Sequence, residues 1–158
     1  MEGIGAIDNE LETAAKGDET ARRLMTIPGI GPVIATAIAA TVRDLEAFAS
    51  GRKFAAFLGL TPRQHSTGGK ERSGGGSKMG DRYLRKLLVV ERPPCCITPP
   101  AITTRWRTWA KEMLKRKAAH KYAYKLTAVA LANKLARIAY AILRSGGTYD
   151  DRPVVARA

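Results

Sequence analysis

Residues 24–42 read Leu24-Met25-Thr26-Ile27-Pro28-Gly29-Ile30-Gly31-Pro32-Val33-Ile34-Ala35-Thr36-Ala37-Ile38-Ala39-Ala40-Thr41-Val42. The Gly29-Ile30-Gly31 triplet between two apolar runs has the form of a tight turn joining two helices, the helix-hairpin-helix signature. Both glycines are expected to take backbone angles that a Cβ resists and to let a phosphate approach the main chain. Ile30 would anchor the turn in the core. Pro32 suits the first turn of the following helix, where its missing N–H costs nothing. Unpaired N–H groups at that helix start, helped by the helix dipole, can hold a phosphate oxygen without reading a base. A purely structural αα-hairpin has the same outline, but the preceding Ile27-Pro28 makes the match more specific than a bare Gly-x-Gly.

Outward from this turn the chain reads as helices. Ile7, Leu11, Ala14, Ala15, Ala21, Leu24 and Met25 suit an amphipathic helix over 7–25, interrupted near Gly17-Asp18. Residues 33–42 form an apolar helix whose small residues permit close packing. Ser50 is a candidate N-cap for a helix over 51–58 with Phe54, Phe57 and Leu58 facing inward. Residues 59–80 hold seven of the 15 glycines and read as a loop with room for a hairpin. Asp81 can cap a helix over 81–92 through Tyr83, Leu84, Leu87 and Leu88. No regular helix passes Pro93-Pro94-Cys95-Cys96-Ile97-Thr98-Pro99-Pro100. Thr104 can cap the next helix, which carries Trp106, Trp109, Met113 and Leu114. The last runs from about Lys121 to Leu143 on the stripe Leu131, Leu135, Ile138, Ile142 and ends at Gly146-Gly147, leaving a tail to 158. The expected fold is mainly α: a helix-hairpin-helix-containing helical domain with a Gly-rich basic loop and a long C-terminal helix.

The chain has 158 residues, 27 Lys+Arg against 14 Asp+Glu, and a net charge of +13. That balance points away from a small metabolic enzyme and toward a polyanionic partner. The charge is uneven. Residues 1–26 carry 3 basic and 6 acidic side chains, residues 61–92 carry 8 against 3, and residues 105–144 carry 11 against 1. Two basic segments with little interleaved acid favour nucleic acid over a merely solvated helix face. Lys115, Arg116, Lys117 and Lys121 are the densest cations and are candidate phosphate contacts. No run of 18 apolar residues occurs, so no spanning helix and no membrane partner are expected. The start Met-Glu-Gly-Ile-Gly lacks signal-peptide features, and a cytoplasmic location is expected. Two adjacent cysteines make no disulfide framework.

The basic loop carries Ser66, Ser73 and Ser77 among guanidinium and ammonium groups. A serine hydroxyl attacking a phosphodiester needs cations on the developing charge and a way to lose its proton. Arg63, Lys70, Arg72, Lys78, Arg82 and Arg85 could supply the cations. His65 beside Ser66 is a poor base, because adjacent residues of an extended chain point to opposite faces. It has no second His or Cys at ligand spacing, so metal binding there is not expected.

Four blocks carry a family resemblance: Leu24 to Pro32; Phe54-Ala55-Ala56-Phe57-Leu58-Gly59-Leu60-Thr61-Pro62-Arg63-Gln64; Ser66-Thr67-Gly68-Gly69-Lys70; and Ser77-Lys78-Met79-Gly80-Asp81-Arg82-Tyr83-Leu84-Arg85. In this order and spacing the chain resembles the C-terminal domain of the insertion-sequence-110/116/902 transposases, relatives of the Piv-type DNA invertases. The match covers about residues 20–90 and resumes at Trp106, with 20–145 as the domain and 1–26 as the remnant of a connecting helix. The resemblance implies DNA as partner, a structured guide RNA in some members, and a homo-oligomer at full length. It implies a serine nucleophile that forms a phosphoserine link to DNA. Ser66 corresponds to it, after Pro62 and before Gly68, with Ser77 the second choice.

The resemblance also implies an N-terminal ribonuclease-H-like domain whose acidic residues bind Mg²⁺. No such set is present: Asp8, Glu10, Glu12, Asp18 and Glu19 lie along one helical stretch. The chain therefore reads as a fragment with no cofactor of its own, inactive alone. Gly74-Gly75-Gly76 replaces bulkier family residues and is expected to loosen the loop before Ser77. Glu91 to Pro99 replaces an Ala-rich helix, and a local double frameshift is the explanation that the codon degeneracy allows.

Overall fold

The computed structural model describes residues 2–64, 73–77, 79–90 and 105–150. The order is α1 (Glu2–Gly17), α2 (Glu19–Met25), α3 (Pro32–Thr41), α4 (Gly51–Phe57), β1 (Pro62–Gln64), β2 (Ser73–Gly76), α5 (Arg82–Val90), α6 (Arg105–Arg116) and α7 (Ala123–Ser145). The fold is mainly α, with one antiparallel two-stranded ribbon. The Thr104 cap, the Pro-Cys segment and the tail beyond 150 lie outside the described residues.

Local chemistry sets the boundaries. The expected interruption at Gly17-Asp18 is real: Asp18 leaves the helix and its carboxylate accepts the Thr20 N–H at 2.8 Å, restarting the chain as α2. The Ser50 hydroxyl caps α4 through the Lys53 N–H, and Asp81 Oδ1 caps α5 through the Leu84 N–H at 2.8 Å. Gly146 closes α7, its N–H donating to the Ile142 carbonyl.

α7 is the central post. Its buried residues Leu131, Ala132, Leu135, Ala136, Ala139 and Ile142 receive Leu24 of α2, Phe54 and Leu58 of α4's end, and Leu84, Leu87 and Leu88 of α5. Ile138, expected in the core stripe, is only half-buried. α7 is also long and apolar enough to cross a membrane, contrary to the expectation that no helix would be; half of its most apolar window is buried against the rest of the chain. Core helices reach this hydropathy because they bury more than one face.

Two expected inward residues point elsewhere. Ile7 is exposed, so α1 packs on α2 and α3 mainly through its C-terminal part around Ala15. Phe57 is 42% exposed. In the two turns of α4 the core-facing stripe is Phe54, Ala55 and Leu58, which leaves Phe57 on the flank, where its ring covers Phe48 at 5.1 Å. Phe48 also meets Phe54 edge-on at 5.3 Å, and its carbonyl accepts the Tyr140 hydroxyl. The chain after α7 is not a free tail at its start: the Tyr149 N–H donates to Thr26 Oγ1 at 2.8 Å, on the turn between α2 and α3.

Candidate nucleic-acid interface and serine hairpin

The turn between α2 and α3 packs as an αα-hairpin. Ile27 and Ile30 are buried, the Ile30 N–H donates to the Ile27 carbonyl at 3.0 Å, and Pro32 opens α3. Gly29 has φ 110°, in the region that side chains resist. Gly31 does not, contrary to expectation. At φ −88° and ψ 177° it is ordinary extended backbone serving as the N-cap of α3, which has no side-chain cap. Gly29→Ala is therefore expected to cost about 1–2 kcal/mol in urea denaturation, and Gly31→Ala clearly less. Equal costs would mean that the two glycines do the same work.

The serine-bearing segment is attached firmly. β1 and β2 pair antiparallel, Pro62 opposite Gly76 and Gln64 opposite Ser73, with an irregular register between Pro62 and Gln64. The Ser77 N–H donates to the Thr61 carbonyl at 2.9 Å, and its side chain is half-buried. Three residues on, the Gly80 backbone lies against the Phe57 carbonyl so closely that a Cβ there would stand 1.4 Å from the oxygen. The Arg85 guanidinium donates to the Leu58 carbonyl at 3.3 Å, satisfying one of the orphan acceptors at the end of α4. Of the three glycines 74–76, Gly76 pairs with Pro62 in the ribbon, and Ser77 beyond it is held to Thr61. Ser66, His65, Lys70, Arg72 and Lys78 lie outside the described residues, and of Arg63 only the backbone, in β1, is described.

Beside the base of this ribbon opens a groove of about 2070 Å³ between α4, α5, α6 and α7. Among the described residues its charged lining is wholly cationic: Arg52, Arg82, Arg85, Lys86, Lys134, Arg137 and Arg144. Of the sequence-stated candidates only Arg82 and Arg85 are here, and Arg85 is half-buried with one N–H on Leu58. Lys115, Arg116, Lys117 and Lys121 sit exposed at the turn from α6 to α7, outside the groove. Arg52, Lys86, Lys134, Arg137 and Arg144 were missed. Three of them recur on α7 as Lys134, Arg137 and Arg144, spaced i, i+3, i+10, and that stripe was readable. Lys134 Nζ lies 4.4 Å from the Trp109 ring centroid, a cation–π contact joining α7 to α6.

Among the described residues no three of His, Cys, Asp and Glu converge as metal ligands. Asp8, Glu10, Glu12 and Glu19 are exposed and strung along α1 and α2, an arrangement that does not fit a divalent-cation site.

Residues 21–91 match the family described as Transposase IS116/IS110/IS902 family. The chain is 43% identical over 145 residues to a "Probable family 20 transposase" of Pseudomonas aeruginosa, covering 89% of this chain and 40% of that protein. It is 40% identical over 149 residues to the transposase for insertion sequence element IS1328 of Yersinia enterocolitica, covering 94% and 43%. It is 31% identical over 133 residues to the pilin gene-inverting protein of Moraxella lacunata, covering 82% and 38%. The chain belongs to the IS116/IS110/IS902 transposase family, and it spans about two fifths of the length of these relatives.

Proposed function

We propose that this chain is the DNA-binding, serine-bearing part of a transposase of this family, acting in DNA transposition or site-specific recombination through a serine nucleophile. The observation that supports the reading is the ribbon of β1 and β2, whose second strand leads to Ser77. Its base is held at Thr61 and Gly80 next to a groove whose charged lining, among the described residues, is cationic. A phosphodiester laid along such a groove would have its charge balanced before any bond changes. Ser66 is the proposed nucleophile and Ser77 the second choice. The α2–α3 turn adds a phosphate contact of the helix-hairpin-helix kind through the uncapped start of α3. The acidic, Mg²⁺-holding domain that the family resemblance implies would come from outside residues 1–158, so the chain alone is not expected to cleave DNA. A structured guide RNA, which the resemblance implies for some members, and further copies of the chain would join only in the full-length assembly.

Binding to mixed-sequence duplex DNA, measured by fluorescence anisotropy against salt, tests the reading. Neutralising about 5–8 phosphates predicts a log–log slope of roughly −4 to −7 with weak sequence preference. A slope near zero removes nucleic acid as the partner. Replacing Lys115, Arg116, Lys117 and Lys121 by Gln should weaken all sequences alike and flatten the slope by about 0.9 for each cation that touches phosphate.

A further inference from the structure

The groove has more than charge in it. Its floor is apolar: Val89 and Val90 from α5 and Leu126 and Val129 from α7, with Trp109 from α6 at one wall. Val90 is 59% and Leu126 41% exposed. Arg52, Arg82, Lys86 and Arg137 are exposed among the groove's lining. A duplex would use mainly the rim, because its base faces are covered by stacking and only base edges show in its grooves. A polyanion that also presents apolar planar faces would use rim and floor together, which is the logic of single-strand sites: a cationic groove that tracks the backbone, with aromatic side chains on which bases lie, a part Trp109 can take here beside the aliphatic floor.

We infer that this groove binds an unpaired DNA strand, phosphates on the α4, α5 and α7 cations and bases on the Val90–Leu126 floor. The commitment to nucleic acid over an apolar protein segment rests on charge complementarity, since among the described residues every charged side chain lining the groove is a cation. The commitment to DNA rests on continuity with the serine hairpin. Gly59, Leu60 and Pro62 line the groove's end and lead directly into β1, and Thr61 between them holds Ser77. A strand lying along α7 would run to the segment that carries the serines. The inference rests on the proposed function, and adds that the substrate is held there with its strands parted. Arg85 and Lys134 are positioning residues in this picture, the first tied to the Leu58 carbonyl and the second laid over Trp109.

The test compares three 20-nucleotide probes by anisotropy at one salt concentration: oligothymidine, oligouridine and a mixed-sequence duplex. Oligothymidine should bind at least about fivefold more tightly than the duplex. Val90→Ser with Leu126→Ser, at exposed positions where the fold tolerates change, should remove that preference and leave duplex affinity within about twofold. Arg52→Glu with Arg137→Glu should weaken oligothymidine about tenfold or more. Circular dichroism and sedimentation of each variant accompany the titrations. Duplex binding that equals or exceeds single-strand binding, and is blind to the floor variants, overturns the inference while leaving the DNA-binding reading intact. Tighter binding of oligouridine than of oligothymidine puts RNA in the groove and also overturns it. A floor variant that shifts the sedimentation of the chain while oligothymidine affinity is unchanged makes the groove a contact between copies. Failure of all three probes to bind removes both the inference and the reading beneath it.

Discussion

Gly80→Ala is expected to lower the stability of the domain by about 3–5 kcal/mol in urea denaturation, a large share of the roughly 5–15 kcal/mol that a domain of this size has. Two costs combine. The residue sits at φ 95°, where an L side chain costs about 1–2 kcal/mol. The new Cβ would also overlap the Phe57 carbonyl oxygen at 1.4 Å, and the nearest atoms are backbone, which cannot swing aside like the end of a lysine. Relief requires Met79–Asp81 to lift from the end of α4, which strains the Asp81 cap on α5 and the Ser77–Thr61 bond together. Gly5→Ala serves as the control: a Cβ there meets nothing within 4 Å, and in a helix it should be neutral or slightly stabilising. A Gly80→Ala protein within about 1 kcal/mol of the parent would mean that the serine segment does not lie against α4 as described.

The helices were legible because their signals are local. Ser50 and Asp81 each announce a helix start through an oxygen that reaches an N–H three residues ahead, and each does so in the structure. The inward or outward turn of single residues was less legible. Phe57 looked like core because it is large and apolar, yet a helix of seven residues has one buried stripe and Phe54 occupies it. Gly31 looked like Gly29 because the two flank the same isoleucine, but only one of them bears the sharp change of direction. The groove was hardest to read. Arg52, Lys86 and Arg137 come from three helices up to 85 positions apart, and no window of sequence contains them together. The densest basic run, Lys115 to Lys117, drew attention to the α6–α7 turn, whereas the topology gathers the sparser cations beside the serine hairpin. Gly80 gave no signal of its own, since its constraint is the Phe57 carbonyl, 23 residues away in the chain.

In a fusion with an acidic family domain placed ahead of residue 1, Ser66→Ala is expected to eliminate the covalent protein–DNA adduct, with a loss of at least about 10³-fold in adduct formed. The hydroxyl oxygen is the atom that would join phosphorus, and a methyl group cannot replace it. DNA affinity should fall by less than about 1 kcal/mol, because one hydroxyl hydrogen bond contributes little to binding. That separation of chemistry from binding distinguishes a nucleophile from a phosphate contact, whose removal would weaken both. Ser77→Ala is expected only to reduce the adduct. Its backbone N–H, which alanine keeps, is committed to Thr61, and its side chain is half-buried at the ribbon base. Arg85→Lys gives a further check on positioning. Lysine keeps the charge but loses the planar fork that reaches the Leu58 carbonyl, so adduct formation should fall while the salt slope of binding stays unchanged. An adduct lost with Ser77 and retained without Ser66 would transfer the nucleophile to Ser77. An adduct that survives both serine changes would end the serine assignment and leave a domain that binds DNA without attacking it.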